Sequence, residues 1–311
     1  MIDVDRVRKS YNGTRGLDGF ELHVADGELF GLVGPNGAGK TTLIKILSTL
    51  IRADGGRACL AGMDVTAEPQ AIKRILGYLP DQPGLYQDMR VREFLEFFAD
   101  AFRVPIGQHR AVVELGLARA GLAARSQSFV EELSFGMKQR LLLAKTLLHE
   151  PKVLLLDEPA TGLDPMARID LREHLKQLNA QGITILISSH ILSELEDICS
   201  RVALIAEGKN ATDAAGKSVI ELQSPAALAQ IYEIEVLGEV DQAARRATEM
   251  AGVTVLKTQS SHFVVEISGG PAEASGFLRH LVLAGVQVLK FDHPAGTLEQ
   301  RYRQVFGDKP R

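Results

Sequence analysis

The sequence predicts an α/β protein: a largely parallel sheet covered by helices, with an antiparallel β subdomain before it and a small α+β domain after it. Three observations carry that prediction. From Leu29 to about Ile205, short apolar segments (LFGLVG, VLLLD, TILISS, VALIA) alternate with helical stretches, as strands buried on both faces do. A wholly helical run, about 88–130, interrupts that alternation. Beyond about 220 the segments YEIEVLG, DQAARRATEMAG, VTVLKT, HFVVEIS, GFLRHLVLAG and VQVLKFD follow the strand and helix order of a split βαβ, or ferredoxin-like, unit.

Taken in order, residues 1–30 read as strands. Val4 and Val7 precede an Asn12-Gly13 turn, and FELHVADGELF alternates at period two. The parallel core follows, with the helical insertion a natural docking place for a partner. The stretches GKNATDAAGK and SPAALAQ form a polar connection within about 208–228, which puts a domain boundary near 220. The two expected domains are therefore 1–220 and 221–311. A last helix is expected over TLEQRYRQVF.

Composition narrows the function. Net charge −4 gives no electrostatic reason to expect a nucleic-acid surface, so no such partner is expected. Cys59 and Cys199 are far apart and lack zinc or disulfide spacing, which fits a reducing compartment. The first residues lack a secretory apolar region, and no uncharged apolar run approaches the ~18 residues of a membrane span. A membrane role would have to come through a partner.

The chemistry begins at LFGLVGPNGAGKTTLIKIL. Gly34-Pro35-Asn36-Gly37-Ala38-Gly39-Lys40-Thr41 lies between an apolar strand and an amphipathic helix, the context a phosphate-binding P-loop requires. Backbone N–H groups there can face β- and γ-phosphates, Lys40 adds a point charge, and the Thr41 hydroxyl can ligate Mg²⁺. Downstream, KVLLLDEPATGLDP ends an apolar strand in Asp157 and Glu158, at the sheet edge where α/β proteins bind ligands. Asp157 would hold Mg²⁺ through water, and Glu158 would polarise an attacking water. His190 ends another buried strand, where it is a cap, a satisfied core residue, or a group reporting on the γ-phosphate. LSFGMKQR starts a helix with Ser134 and Gly136, which either cap that helix or hold an anion.

This ordered set resembles the ATP-binding subunit of an ABC transporter over nearly all of residues 1 to about 220. The resemblance covers a Walker A segment (Gly34 to Thr41), a signature segment (Leu133 to Gln139), a Walker B segment (Val153 to Asp157), Glu158, a D-loop (Thr161 to Asp164) and the switch histidine His190. It implies a P-loop NTPase of the ABC ATPase type, with ATP and Mg²⁺ as cofactors. Asp157, Glu158 and His190 would be catalytic. Residues Gly34 to Thr41, with Thr42, would bind the phosphates, and Tyr11 would stack on adenine, though by itself Tyr11 reads as a strand tyrosine. Two copies would sandwich ATP head to tail, with Ser134, Gly136 and Asp164 of each serving the other.

A separate integral-membrane permease would hold the chain on the inner, cytoplasmic face of the membrane, and the tail resembles the accessory domain of some drug exporters. The alternative is an ATP-switched clamp acting on DNA or ribosomes. Two positions depart from the family pattern. Phe135 stands where a glycine is usual, and Asp81, followed by Gln82, stands where the Q-loop glutamine is usual. Asp81 and Gln82 are both candidates for the metal or its water.

Overall fold

The computed structural model describes residues 1–292 apart from 12, 197, 213–217, 223–228 and 260. The Asn12 half of the first turn and the TLEQRYRQVF helix therefore lie outside the described residues. The chain divides into two compact units, Met1–Ile220 and Glu221–Arg311.

The first unit opens with an antiparallel sheet in the order β2-β1-β4-β5, formed by β1 (Ile2–Tyr11), β2 (Thr14–Val24), β4 (Gly55–Leu60) and β5 (Met63–Asp64). The β1 core side chains fall at Ile2, Val4 and Val7 rather than at a strict period of two, and a bulge explains the slip. The register shifts between Val4 and Val7, and Arg6 there takes φ 45. Gly56, at φ 78, lets β4 pass the bulge, because a β-carbon there would overlap the Arg6 carbonyl. The pair β4 and β5 was not legible in the sequence: GGRACL opens on two glycines and has no clear alternation.

The second sheet is the parallel core. Strands β9 (Arg201–Ala206), β3 (Leu29–Val33), β8 (Thr184–Ser189), β7 (Val153–Asp157) and β6 (Leu76–Leu79) run parallel in that order. Antiparallel β10 (Lys209–Asn210) flanks β9, and β11 (Val219–Glu221) also pairs with β9. Every residue of β3, β7 and β8 is buried, which is why these strands read as unbroken apolar runs. Strand β6 is the exception to legibility, since its four residues continue directly from α2 (Pro69–Ile75) without a turn residue between them.

Helix α1 (Lys40–Leu47) lies in the core shared by the two sheets. Its Leu43, Ile44, Ile46 and Leu47 join Val7, Phe20 and Leu60 of the first sheet and Phe30, Leu155 and Ala203 of the second in one buried cluster. Truncating such a residue to alanine costs about 2–5 kcal/mol, so the start of α1 sits on rigid ground. The helical insertion consists of α3 (Val91–Ala101) and α4 (Ile106–Arg119), followed by α5 (Phe135–Leu147), which packs on both and on β6. Helices α6 (Pro165–Ala180) and α7 (Leu192–Glu196) complete the unit.

The second unit comprises β12 (Ala229–Leu237), α8 (Val240–Ala247), β13 (Val253–Thr258), β14 (His262–Ser268), α9 (Pro271–Leu283) and β15 (Gln287–Asp292). Its antiparallel sheet has the order β13-β14-β12-β15, the split βαβ arrangement. Ile234, Phe263, Val265 and Ile267 of the sheet meet Ala247, Phe277 and Leu281 of the helices in a core of its own.

Candidate active site

The loop between β3 and α1 is shaped by glycines with distinct tasks. A β-carbon on Gly34 would overlap the Ile205 carbonyl of β9, and one on Gly39 would overlap the Gly16 carbonyl, so both permit close approach of backbones. Gly37 faces open space and is needed for its φ of 80. Gly39 caps α1 at φ 112 without any side-chain hydrogen bond, leaving the first N–H groups of the helix unclaimed by a cap.

These N–H groups border a cavity of about 320 Å³ lined by Tyr11, Thr14, Arg15, Gly16, Pro35, Asn36, Gly37, Ala38, Gly39, Lys40, Thr41, Thr42, Asp81 and Glu158. Ligand sites usually span about 300–1,000 Å³. Gly34 is not on this wall, and its part is steric. Asp81 lines the cavity whereas its neighbour Gln82 does not, so of the two candidates only Asp81 faces the loop.

Lys40 is 5% exposed. Its Nζ donates to the Gly34 carbonyl at 2.6 Å and the Pro35 carbonyl at 3.2 Å, and lies 3.1 Å from Glu158 Oε1. The contact with Glu158 is an ion pair lacking hydrogen-bond alignment, since Oε1 has no hydrogen-bond partner. Glu158 Oε2 lies 2.7 Å from His190 Nδ1. Glu158 itself is held at φ 49, a region costly for a side-chain-bearing residue. Its N–H is fixed by Ser188, to Oγ at 3.0 Å and to the carbonyl at 3.2 Å.

Asp157 ends β7 fully buried. One carboxylate oxygen accepts from the Ser188 hydroxyl at 2.7 Å, while Oδ2 is buried without a partner. Burial pushes this carboxyl above the usual carboxylate range. The Ser188 hydrogen bond and the nearby Thr41 hydroxyl oppose the shift, and the charges of Glu158 and Asp81 add to it. Nearby, the Tyr78 hydroxyl is pushed up to about 12 by burial and then by Asp157 and Asp81. An orphaned carboxylate oxygen beside a threonine hydroxyl fits a hard cation. Among the described residues no group of three or more His, Cys, Asp or Glu is arranged to hold a metal, so a cation here would draw on phosphate and water as well.

The remaining sequence candidates lie elsewhere. Ser134 is the N-cap of α5, its hydroxyl accepting from Met137 N–H at 3.3 Å; Asp164 is the N-cap of α6, accepting from Ala167 N–H at 2.9 Å. Gly136 approaches Ala167, so the two helix starts are neighbours. None of the three lines the Lys40 cavity. Sequence reasoning missed Ser188, which holds both Asp157 and Glu158; its signal was a polar residue in the last turns of a buried strand, two positions before His190. It also missed Gln139 as a brace, whose Nε2 donates to the Pro159 carbonyl at 2.7 Å.

Residues 17–161 match the family model described as ABC transporter. The chain is 39% identical to a Nod factor export ATP-binding protein I of Burkholderia pseudomallei (strain 1710b), over 82% of this chain and 84% of that one. The chain belongs to the family of ABC transporter ATP-binding proteins. It is 34% identical to the daunorubicin resistance ATP-binding protein DrrA3 of Streptomyces coeruleorubidus, across 100% of this chain and 97% of that one. A solved ATP-binding subunit of an ABC transporter superposes with a TM-score of 0.63 at 30% identity, covering 71% of this chain and 90% of its own. This ABC protein is thus an ATP-binding, ATP-hydrolysing transporter subunit on a P-loop NTPase fold. Among the described residues no helix is long and apolar enough to cross a membrane.

Proposed function

We propose that two copies of this ABC protein close head to tail on two ATP molecules, and that closure and hydrolysis drive export through a separate membrane permease. The observation that carries the reading is the split of the site. Lys40, Thr41 and Glu158 line one cavity, with His190 bound to Glu158 and Asp157 next to it in the chain, while Ser134, Gly136 and Asp164 stand outside that cavity.

In this reading Lys40 exchanges its loop carbonyls and Glu158 for the phosphates, and the uncapped start of α1 receives them. Thr41 and Asp157, with Asp81 at the cavity wall, would hold Mg²⁺, which when bound neutralises phosphate charge. Glu158, released by Lys40, orients water and takes its proton as that water attacks the γ-phosphorus and ADP leaves. His190, hydrogen-bonded to Glu158, aims the carboxylate and meets the γ-phosphate. The facing copy supplies Ser134 and Gly136. Losing the shared γ-phosphate removes a contact made only in the closed state, so chemistry becomes opening.

The permease would dock on the helical insertion. A groove of about 640 Å³ there is lined by Tyr78, Phe98, Phe102, Arg103, Lys145 and other residues, and Lys145 Nζ lies 4.9 Å from the centre of the Phe98 ring. Export is supported by the relatives, one a Nod factor export ATP-binding protein and one a daunorubicin resistance ATP-binding protein. Residues 221–311 would serve as an accessory or regulatory domain. Replacing Glu158 with Gln tests the reading: ATP still binds, a closed dimer accumulates, and turnover falls by at least about 10²-fold. Normal turnover in that variant would remove Glu158 from the role of base.

A further inference from the structure

Phe135 occupies a helix start with more than half of its surface, 56%, in solvent. Its ring nevertheless has a defined seat. A β-carbon added to Gly162 would sit 3.2 Å from Phe135 Cε1 and 3.3 Å from Cζ, so the ring edge rests on the bare Cα of a glycine held at φ 78. One helical turn further on, Gln139 Nε2 holds the Pro159 carbonyl at 2.7 Å. Residues i and i+4 share a helix face. Phe135 and Gln139 therefore grip the loop after Glu158 at two separated points, Gly162 and Pro159, and two points stop a pivot that one would allow. Close approach of Gly136 to Ala167 adds a third contact between the same segments. The gripped loop is continuous with the base: Thr161 N–H donates to the Glu158 carbonyl at 3.1 Å.

We propose that Phe135 is a positioning residue whose ring clasps Gly162, so that the start of α5 and the loop that aims Glu158 move as one body. The proposal rests on the composite-site reading above. Under that reading, the contact Ser134 and Gly136 make with the facing copy's phosphate sets the aim of Glu158 in the protein's own pocket. The aromatic ring at the usual glycine position is then a linkage between the two sites. A glycine there would remove the grip at Gly162 and leave Gln139 to hold the loop at Pro159.

The test is a double-mutant cycle on the full chain with Phe135→Gly, Gly162→Ala and the pair, reading kcat and KM for ATP. Gly162→Ala places a methyl against the ring and also strains a left-handed backbone; in the Phe135→Gly background only the strain remains. The clasp predicts that Phe135→Gly lowers kcat about tenfold, as a slight misplacement of a catalytic group does, with KM changed less than about twofold. Phe135→Tyr, which keeps the ring edge, restores kcat. The two lesions are strongly non-additive. In the Glu158→Gln background, Phe135→Gly still forms the ATP-dependent dimer.

A kcat for Phe135→Gly within about twofold of the native value, or additive lesions, overturns the clasp. So does loss of the Glu158→Gln dimer on introducing Phe135→Gly, which would give the ring a direct role across the interface. Failure of Glu158→Gln with native Phe135 to dimerise would instead strike the composite-site reading, and the coupling between 135 and 162 would still be decided by the cycle.

Discussion

Two helix starts in this protein face opposite tasks, and their caps differ accordingly. Helix α1 begins after Gly39 with no side-chain cap, and its free N–H groups border the Lys40 cavity. Helix α5 begins after Ser134, whose own hydroxyl satisfies Met137 N–H, and Phe135 projects from its first turn. An uncapped N-terminus is a standing anion site; a self-capped one is stable without a ligand and gives up a hydrogen bond to gain one. On the proposed reading, the P-loop half of the site is poised for phosphate, while the signature half is satisfied until a second molecule brings phosphate to it.

The largest break in this comparison is Lys40→Met. Removing the cation beside the uncapped helix should abolish turnover, by about 10²–10³-fold, measured as phosphate release. The facing half is sharpened by Ser134→Ala. It should lower turnover about tenfold or more, yet remove only about 1 kcal/mol of helix-cap stability in a denaturant titration. Equal losses in both readouts would reduce Ser134 to a cap.

Asp157→Asn should separate stability from function. Because burial raises this carboxyl, its charged form opposes folding at neutral pH, and that cost disappears as pH falls below the ordinary carboxylate range. The nucleotide-free variant should therefore melt higher at pH 7.5, by about 2–4 °C for each kcal/mol recovered. The gain should vanish near pH 4, and Mg²⁺ should no longer add to the stabilisation by ATP.

The smallest effect on turnover is expected away from the site, at Glu28. Burial pushes that carboxyl up, but the Arg201 fork, with both contacts at 2.7 Å, the Ala25 N–H and Ser200 together hold it below its ordinary value. Its stabilisation is present above the unfolded carboxylate pKa and is lost as pH falls through the lower folded one. Glu28→Gln should cost about 2 kcal/mol at pH 7, less toward pH 3, with KM for ATP unchanged.

Much of the fold and of the P-loop half was legible because the constraint there is local. Gly37 and Gly39 answer to backbone geometry within one turn, and Asp157 ends a strand whose every residue is buried. What was not legible depends on partners distant in the chain. Strand β4 is specified by pairing with β1, and β6 by pairing with β7 across an intervening helical insertion. Ser188 gains its role only when β7 and β8 lie side by side. Phe135 likewise reads as an anomaly until Gly162 is brought beneath it.

Complementation between two disabled variants tests the central claim most directly. Lys40→Met retains its signature face and Ser134→Arg retains its P-loop, so a mixed pair rebuilds one whole site although neither variant has one alone. Each variant by itself should show negligible ATP turnover, and turnover should recover on mixing, rising with the fraction of mixed pairs. Full turnover by Ser134→Arg alone would contradict that claim, because each copy would then complete the reaction without the other.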